Sequence, residues 1–287
     1  MKAYYHLPGL FEYFEFYKTF MMMYNSERDK FNDWCEIGSI YGAPFGAIWN
    51  GGRANQGSCF YEELVVDFAK ENDVPCRLTF SNPLLNKNHL LDTQCNALLE
   101  KFYFGDKNSI IVNSPILEEY IRDNYPNYKI VSSTTKCIKD KDKAIQEINK
   151  DYYMTVLDYN FNNNFDFLNS IEHKEKCELL INPVCQPNCP RRAEHYEYIA
   201  KQILHKNSKV VNFECQSQGK MFYDVKESPL FISVDDIQNK YLPLGFQHFK
   251  IEGRTTHPLD LIEILVYYLI KPEHQSRIRE RLLLFAW

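Results

Sequence analysis

A chain of 287 residues, 45% hydrophobic and 25% charged, has ordinary globular composition; this excludes a disordered or fibrous protein and is within the range of one α/β barrel. Thirty-three basic against 38 acidic residues leave a net charge of −5, which argues against a general nucleic-acid binder or a protein held on an anionic membrane. The sequence has no run of apolar residues long enough to span a bilayer, and residues 1–8 lack the uninterrupted apolar stretch of a signal peptide. The nine cysteines are therefore expected in a reducing cytoplasm, as free thiols or bound to metal.

In chain order, short β-branched runs alternate with helical patterns. A first strand is expected over 2–7, followed by an aromatic, methionine-rich helix over 11–31. A second strand is expected over 45–49, ending in Asn50-Gly51-Gly52-Arg53, and a helix over 62–70 places Leu64, Val65, Phe68 and Ala69 on one face. Strands at 77–82, 109–113, 128–133 and 153–158 each precede a helix, at 92–102, 115–124, 141–150 and 165–172. Pro115 opens its helix where the missing N–H matters least. Strands at 178–182 and 247–252 and a closing helix at 258–270 complete the set.

Eight strand–helix units predict one domain over 1–287, a (β/α)8 TIM-type barrel, with a doubly wound open sheet as the rival. Polar residues end the strands, and closure would bring Asn50, Asn82, Asn113, Ser132, Asp158, Asn182 and Glu252 to one rim. Asn50, Arg53, Asn82, Asn113, Asn182 and Lys250 are the substrate-binding candidates. The gap between strands seven and eight is about twice the usual spacing, so 183–246 reads as an inserted loop region, and long loops on that rim are usually functional.

The insertion carries Cys185, Cys189 and Cys215, with His195 one or two helical turns beyond Cys189. Pro183, Pro187 and Pro190 stiffen the segment and reduce the entropy lost when thiolates converge on an ion. Three thiolates and an imidazole suit tetrahedral zinc; three thiolates and a fourth ligand suit a [4Fe–4S] cluster; three unpaired thiols in a loop is the plain alternative. His195, Cys35 and Cys59 compete for the fourth position. Cys76 and Cys177 open strands at the opposite barrel end, and Cys95 and Cys137 read as packing.

Lys250, Glu252 and Arg254 alternate with Ile251 and Gly253 and share one face of the last strand. They form either an internal ion network or a site in which Glu252 is a base or substrate anchor and Arg254 holds an anion. Asp158 is the other carboxylate placed to activate water.

This stretch, preceded by Ser233-Val234-Asp235-Asp236-Ile237 and Leu244-Gly245-Phe246, resembles the C-terminal signature of the collagenase-like unassigned-peptidase family. The segment from Asn182 to His195 is similar to that family's cysteine region, and Asn50–Arg53 to its early strand-end loop. The resemblance implies a (β/α)8 barrel, four cluster-binding cysteines and kinship with iron–sulfur proteins of oxygen-independent hydroxylation. It also implies that 233–237 begins a short helix. The sequence departs from the family in its strand end, Leu180-Ile181-Asn182-Pro183, and in having only three late cysteines. No His-Glu-x-x-His motif and no glycine-rich phosphate loop occurs.

The leading expectation is an iron–sulfur enzyme, or a subunit of one, modifying a small aromatic or RNA-derived substrate without oxygen. A zinc-dependent peptidase and a metal-stapled scaffold are the alternatives. The expected partners are a small-molecule or peptide substrate and a protein partner.

Overall fold

Eight parallel strands close into a barrel in the computed structural model, which describes residues 1–53, 62–205 and 213–284. They are β1 (Ala3–Pro8), β2 (Cys35–Gly42), β3 (Cys76–Phe80), β4 (Ser109–Val112), β5 (Lys129–Ser132), β6 (Met154–Val156), β7 (Cys177–Leu180) and β8 (His248–Lys250). Each pairs with its sequence neighbour, and β8 returns to β1 through Tyr4–His248, Tyr5–Phe249 and His6–Lys250. The expected barrel is therefore present, and no open sheet edge is left.

One strand lies elsewhere than expected. The second is β2, and 45–49 forms turns: Pro44 lacks a donor, Gly46 has φ +89° and Phe45 is exposed. Gly38 and Gly42 weaken the strand pattern of β2. Gly38 is required there, because a Cβ would lie 2.7 Å from His6 Cε1.

The barrel is covered by α1 (Phe14–Ser26), α2 (Glu62–Glu71), α3 (Thr93–Phe102), α4 (Pro115–Asn124), α5 (Lys141–Ile148) and α6 (Phe165–Ser170). α1 buries Phe14, Phe16, Tyr17, Phe20, Met21 and Met23, so its aromatic run is core. Between β7 and β8 the chain forms α7 (Arg192–Leu204), α8 (Phe222–Lys226) and a short helix α9 (Val234–Asp236). A π-helical turn (Ile237–Tyr241) then leads into α10 (Leu242–Leu244). The helix expected near 233 is present, capped by Ser233, whose hydroxyl accepts from Asp236 N at 3.0 Å. Helices α11 (Pro258–Leu269) and α12 (Gln275–Leu283) close the chain. Among the described residues no helix is long and apolar enough to cross a membrane.

Inside the barrel, Tyr41, Ile111, Val131, Met154 and Val156 form an apolar cluster beside charged residues. Glu178 accepts from Arg77 and, at 3.2 Å, from Lys250 Nζ; His6 Nε2 lies 3.4 Å away. His6 also bonds Ser39 at 2.8 Å and faces His248 Nδ1 at 3.2 Å. Arg77 and Lys250 hold the Glu178 carboxyl well below its usual range although burial opposes this. Burial, with Arg77 adding to it, outweighs the pull of Glu178 on Lys250 and pushes that amine down to about 8. Two cations thus share one anion. Lys250, a candidate substrate contact, also lies 3.9 Å over the Tyr41 ring and belongs to this network.

Removing the shared anion leaves two buried cations without it. Glu178→Ala should therefore cost roughly 3–5 kcal/mol of stability, read from urea unfolding. A loss below about 1 kcal/mol would mean that the network does not hold the barrel.

Candidate active site

The polar strand ends meet on one rim, where most of them are held by hydrogen bonds within the protein. Arg254 is buried and donates to Asn50 Oδ1 and Thr79 Oγ1, both at 2.8 Å, and to Gly51 O at 2.7 Å. Asn50 in turn donates to Arg53 O at 2.9 Å. Gly51 permits this close approach: a Cβ there would lie 2.3 Å from Ser81 O. Gly52, at φ +77°, then turns the chain so that Arg53 reaches Glu252 as an ion pair.

Glu252 is fixed from the other side by Asn182. Its N–H donates to Asn182 Oδ1 at 2.7 Å, and Asn182 Nδ2 donates to its carbonyl at 3.0 Å. The amide side chain continues β7–β8 pairing past Pro183, which has no N–H to offer. The Glu252 carboxylate also accepts from Val184 N at 3.1 Å. Asn82 donates to Ile48 O and accepts from Leu84 N, and Asn113 donates to Thr135. Asp158 pairs with Arg192 and accepts from Asn160 N at 2.9 Å.

A cavity of about 570 Å³ opens on this rim. Arg53, Asn182, Cys185, His195, Cys215 and Glu252 line it, so six of the candidate residues share one space. Asn50, Asn82, Asn113, Asp158, Lys250 and Arg254 are not among the lining residues. Tyr159, Tyr196, Tyr198 and Phe213 form an aromatic wall. Arg192 lies 4.2 Å over Tyr159, and His195 stacks on Phe213 at 4.5 Å, with Arg191 4.3 Å from the Phe213 ring centre. Burial, then Arg53 and Arg191, keep the His195 imidazole toward its neutral form. Asp260 accepts from Phe222 N at 2.9 Å and anchors α8 along the cavity.

The thiols divide by position. Cys35, considered above for a fourth ligand, opens β2 at the far end of the barrel, and burial holds it well above its usual range. It cannot reach the rim, because strands are parallel and all open at that end. Cys76 and Cys177 open β3 and β7 and are buried, as expected. Cys59 lies outside the described residues. Cys137, read from sequence as packing, stands on the rim instead: it has φ +54°, and its thiol accepts from Arg192 Nε at 3.2 Å. Cys185 packs against Tyr159 and Leu180.

These donors have the right chemistry for a soft metal. No three His, Cys, Asp or Glu side chains among the described residues are close enough to hold one ion. As placed they do not fit tetrahedral zinc or a four-iron cluster.

Glu12, in the β1–α1 loop, is a polar residue that sequence reasoning missed. Both of its carboxylate oxygens are buried without a hydrogen bond, and burial raises its pKa to about 7 against the opposing pull of Arg254. The one available signal was a charge inside the aromatic run Phe11-Glu12-Tyr13-Phe14.

No family profile matches the chain. It is 24% identical over 242 residues to an uncharacterized protease of Methanocaldococcus jannaschii, covering 80% of this chain and 71% of the relative. A solved U32 peptidase superposes with a TM-score of 0.55 at 14% identity, covering 88% of this chain and 94% of the other, and so shares the fold.

The sign of the Glu12 effect follows from its raised pKa. Between the ordinary value of 4.5 and about 7 the folded protein holds a proton that the unfolded chain has released. Stability should therefore fall as pH rises through that window and level off above it, by about 3 kcal/mol. Glu12→Gln should remove this component, so its stability gain over wild type should grow from pH 4.5 to 7. An unchanged difference across the window in urea titrations would refute the assignment.

Proposed function

We propose that the chain is an enzyme of the unassigned-peptidase barrel type, acting on a peptide or small molecule in the rim cavity. Support for peptidase kinship comes from the similarity to a protein described as a protease and from the shared barrel. The observation that carries the reading is the Glu252–Arg53 pair on the cavity wall, held by Asn182 on one side and by Asn50 and Arg254 on the other.

Preorganisation of this kind suits proton transfer beside a developing negative charge. In hydrolysis, Glu252 takes a proton from a water molecule as its oxygen attacks the carbonyl carbon. Arg53 turns toward the oxyanion, and Glu252 returns the proton to the leaving amine. The aromatic wall seats apolar side chains or a planar group. Arg254 and Asp158 act at a distance, by holding Asn50 and Arg192.

The second reading is an iron–sulfur or zinc-loaded form, with the iron–sulfur protein modifying an aromatic or RNA-derived substrate without oxygen. Cys185, Cys215 and His195 on one cavity wall, beside the aromatic residues, favour it. It requires the rim segments to close further around the metal.

Two measurements test these readings. With a peptide digest of gelatin as probe, Glu252→Gln should lower kcat/KM by roughly 10²–10⁴-fold while Asn82→Ala retains most activity; equal turnover by Glu252→Gln and wild type would exclude Glu252 as the base. Anaerobic purification should separate the metal forms: a brown protein supports the cluster, a colourless one containing zinc supports zinc, and a metal-free one removes both.

A further inference from the structure

The rim cavity has charged side chains in its wall, and among the described residues their charges are already matched. Arg53 and Glu252 stand there as an ion pair. Arg192, also in the wall, pairs with Asp158 and lies 4.2 Å over the Tyr159 ring. Asp260 accepts from Phe222 N at 2.9 Å and from Thr256 Oγ1 at 3.1 Å. Lys220 lies at the exposed end of the cavity, where water and salt screen it.

A buried charge without a partner is far more costly than a paired one. A ligand that inserts a carboxylate, a phosphate or an ammonium must therefore break one of these pairs and leave its other half alone. A ligand whose inserted part is uncharged leaves both pairs intact and lies along the aromatic residues. Those residues form a continuous run. Arg192 is also 5.9 Å from the Tyr196 ring centre, and Phe213 lies 4.5 Å from His195 and 5.5 Å from Tyr198.

We propose that the cavity selects uncharged ligands: a neutral amide segment carrying an apolar or planar group enters, and charged chain ends and phosphates are refused. The Arg53–Glu252 pair is the selecting device, because each member cancels the charge that the other would recruit. The inference rests on the rim cavity being the ligand site, as proposed above, and does not require turnover.

The test uses the full chain at pH 8, where a free imidazole is neutral, and three probes that share one phenyl ring. N-acetyl-phenylalaninamide is neutral, N-acetyl-phenylalanine is an anion and phenethylamine is a cation. In NMR titrations, wild type should bind the amide about tenfold tighter than either charged probe. Glu252→Gln keeps an acceptor for Val184 N and leaves the main-chain bonds to Asn182, so the wall stays in place while Arg53 is uncovered. Its preference should move toward the anion by about tenfold relative to wild type. Arg53→Gln uncovers Glu252 and should move the preference toward the cation instead. Opposite shifts in the two variants cannot come from damage to the fold. Wild type that favours a charged probe, or binds none of the three, would overturn the proposal, as would variants that keep the wild-type order. Absence of turnover with the gelatin digest removes hydrolysis and leaves this selectivity standing; absence of selectivity does the reverse.

Discussion

A single buried carboxylate, Glu178, answers for the charge inside the barrel. Arg77 approaches from β3, Lys250 from β8 and His6 from β1, so three strands are tied to a fourth through one side chain. A barrel filled only with branched apolar residues would close through shape alone. Here, closure also requires that opposite charges arrive at the same depth, which penalises a slipped register because a one-residue shift turns every partner outward. The price is electrostatic imbalance, visible in the lowered pKa of Lys250.

The rim inherits its order from that closure. Lys250, Glu252 and Arg254 alternate along one stretch, so the depth of the first sets the height of the other two. Lys250 belongs to the interior, Glu252 reaches the cavity, and Arg254 crosses to the β2–α2 connection. Arg254 gives its charge to neutral acceptors, and its effect on the site passes through Asn50 to Arg53. The residues that look most reactive in the sequence are thus divided between holding and facing the cavity. Burial and partners decide which is which.

Strand–helix alternation made seven of the eight strands and the barrel legible, because each strand is a compact apolar run followed by a turn. β2 was not, since Gly38 exists to clear the His6 ring and that reason lies on another strand. The rim was legible as a set of residue types, and six of the candidates do share the cavity. Their internal bonding was not, because Asn182–Glu252 and Asn50–Arg254 join residues far apart in the chain. Cys35, a candidate for the rim, opens a strand at the far end, and Cys137, read as packing, stands on the rim, for the same reason: sequence gives distance along a strand only once its ends are known. Glu12 was hidden by its aromatic neighbours, which make its burial but do not announce it.

The two asparagines that hold this rim differ in how they age. Deamidation begins when the next backbone nitrogen closes on the side-chain carbonyl, and after Asn182 that nitrogen belongs to Pro183 and carries no hydrogen. The clasp on Glu252 is chemically closed to that route. Asn50 is followed by Gly51, the least hindered attacker, and its shield is the set of bonds by which Arg254 and Thr79 hold its carbonyl and Arg53 O takes its amide. The same glycine that lets the backbone pass Ser81 therefore makes the Arg53 side of the site the one with a finite chemical lifetime.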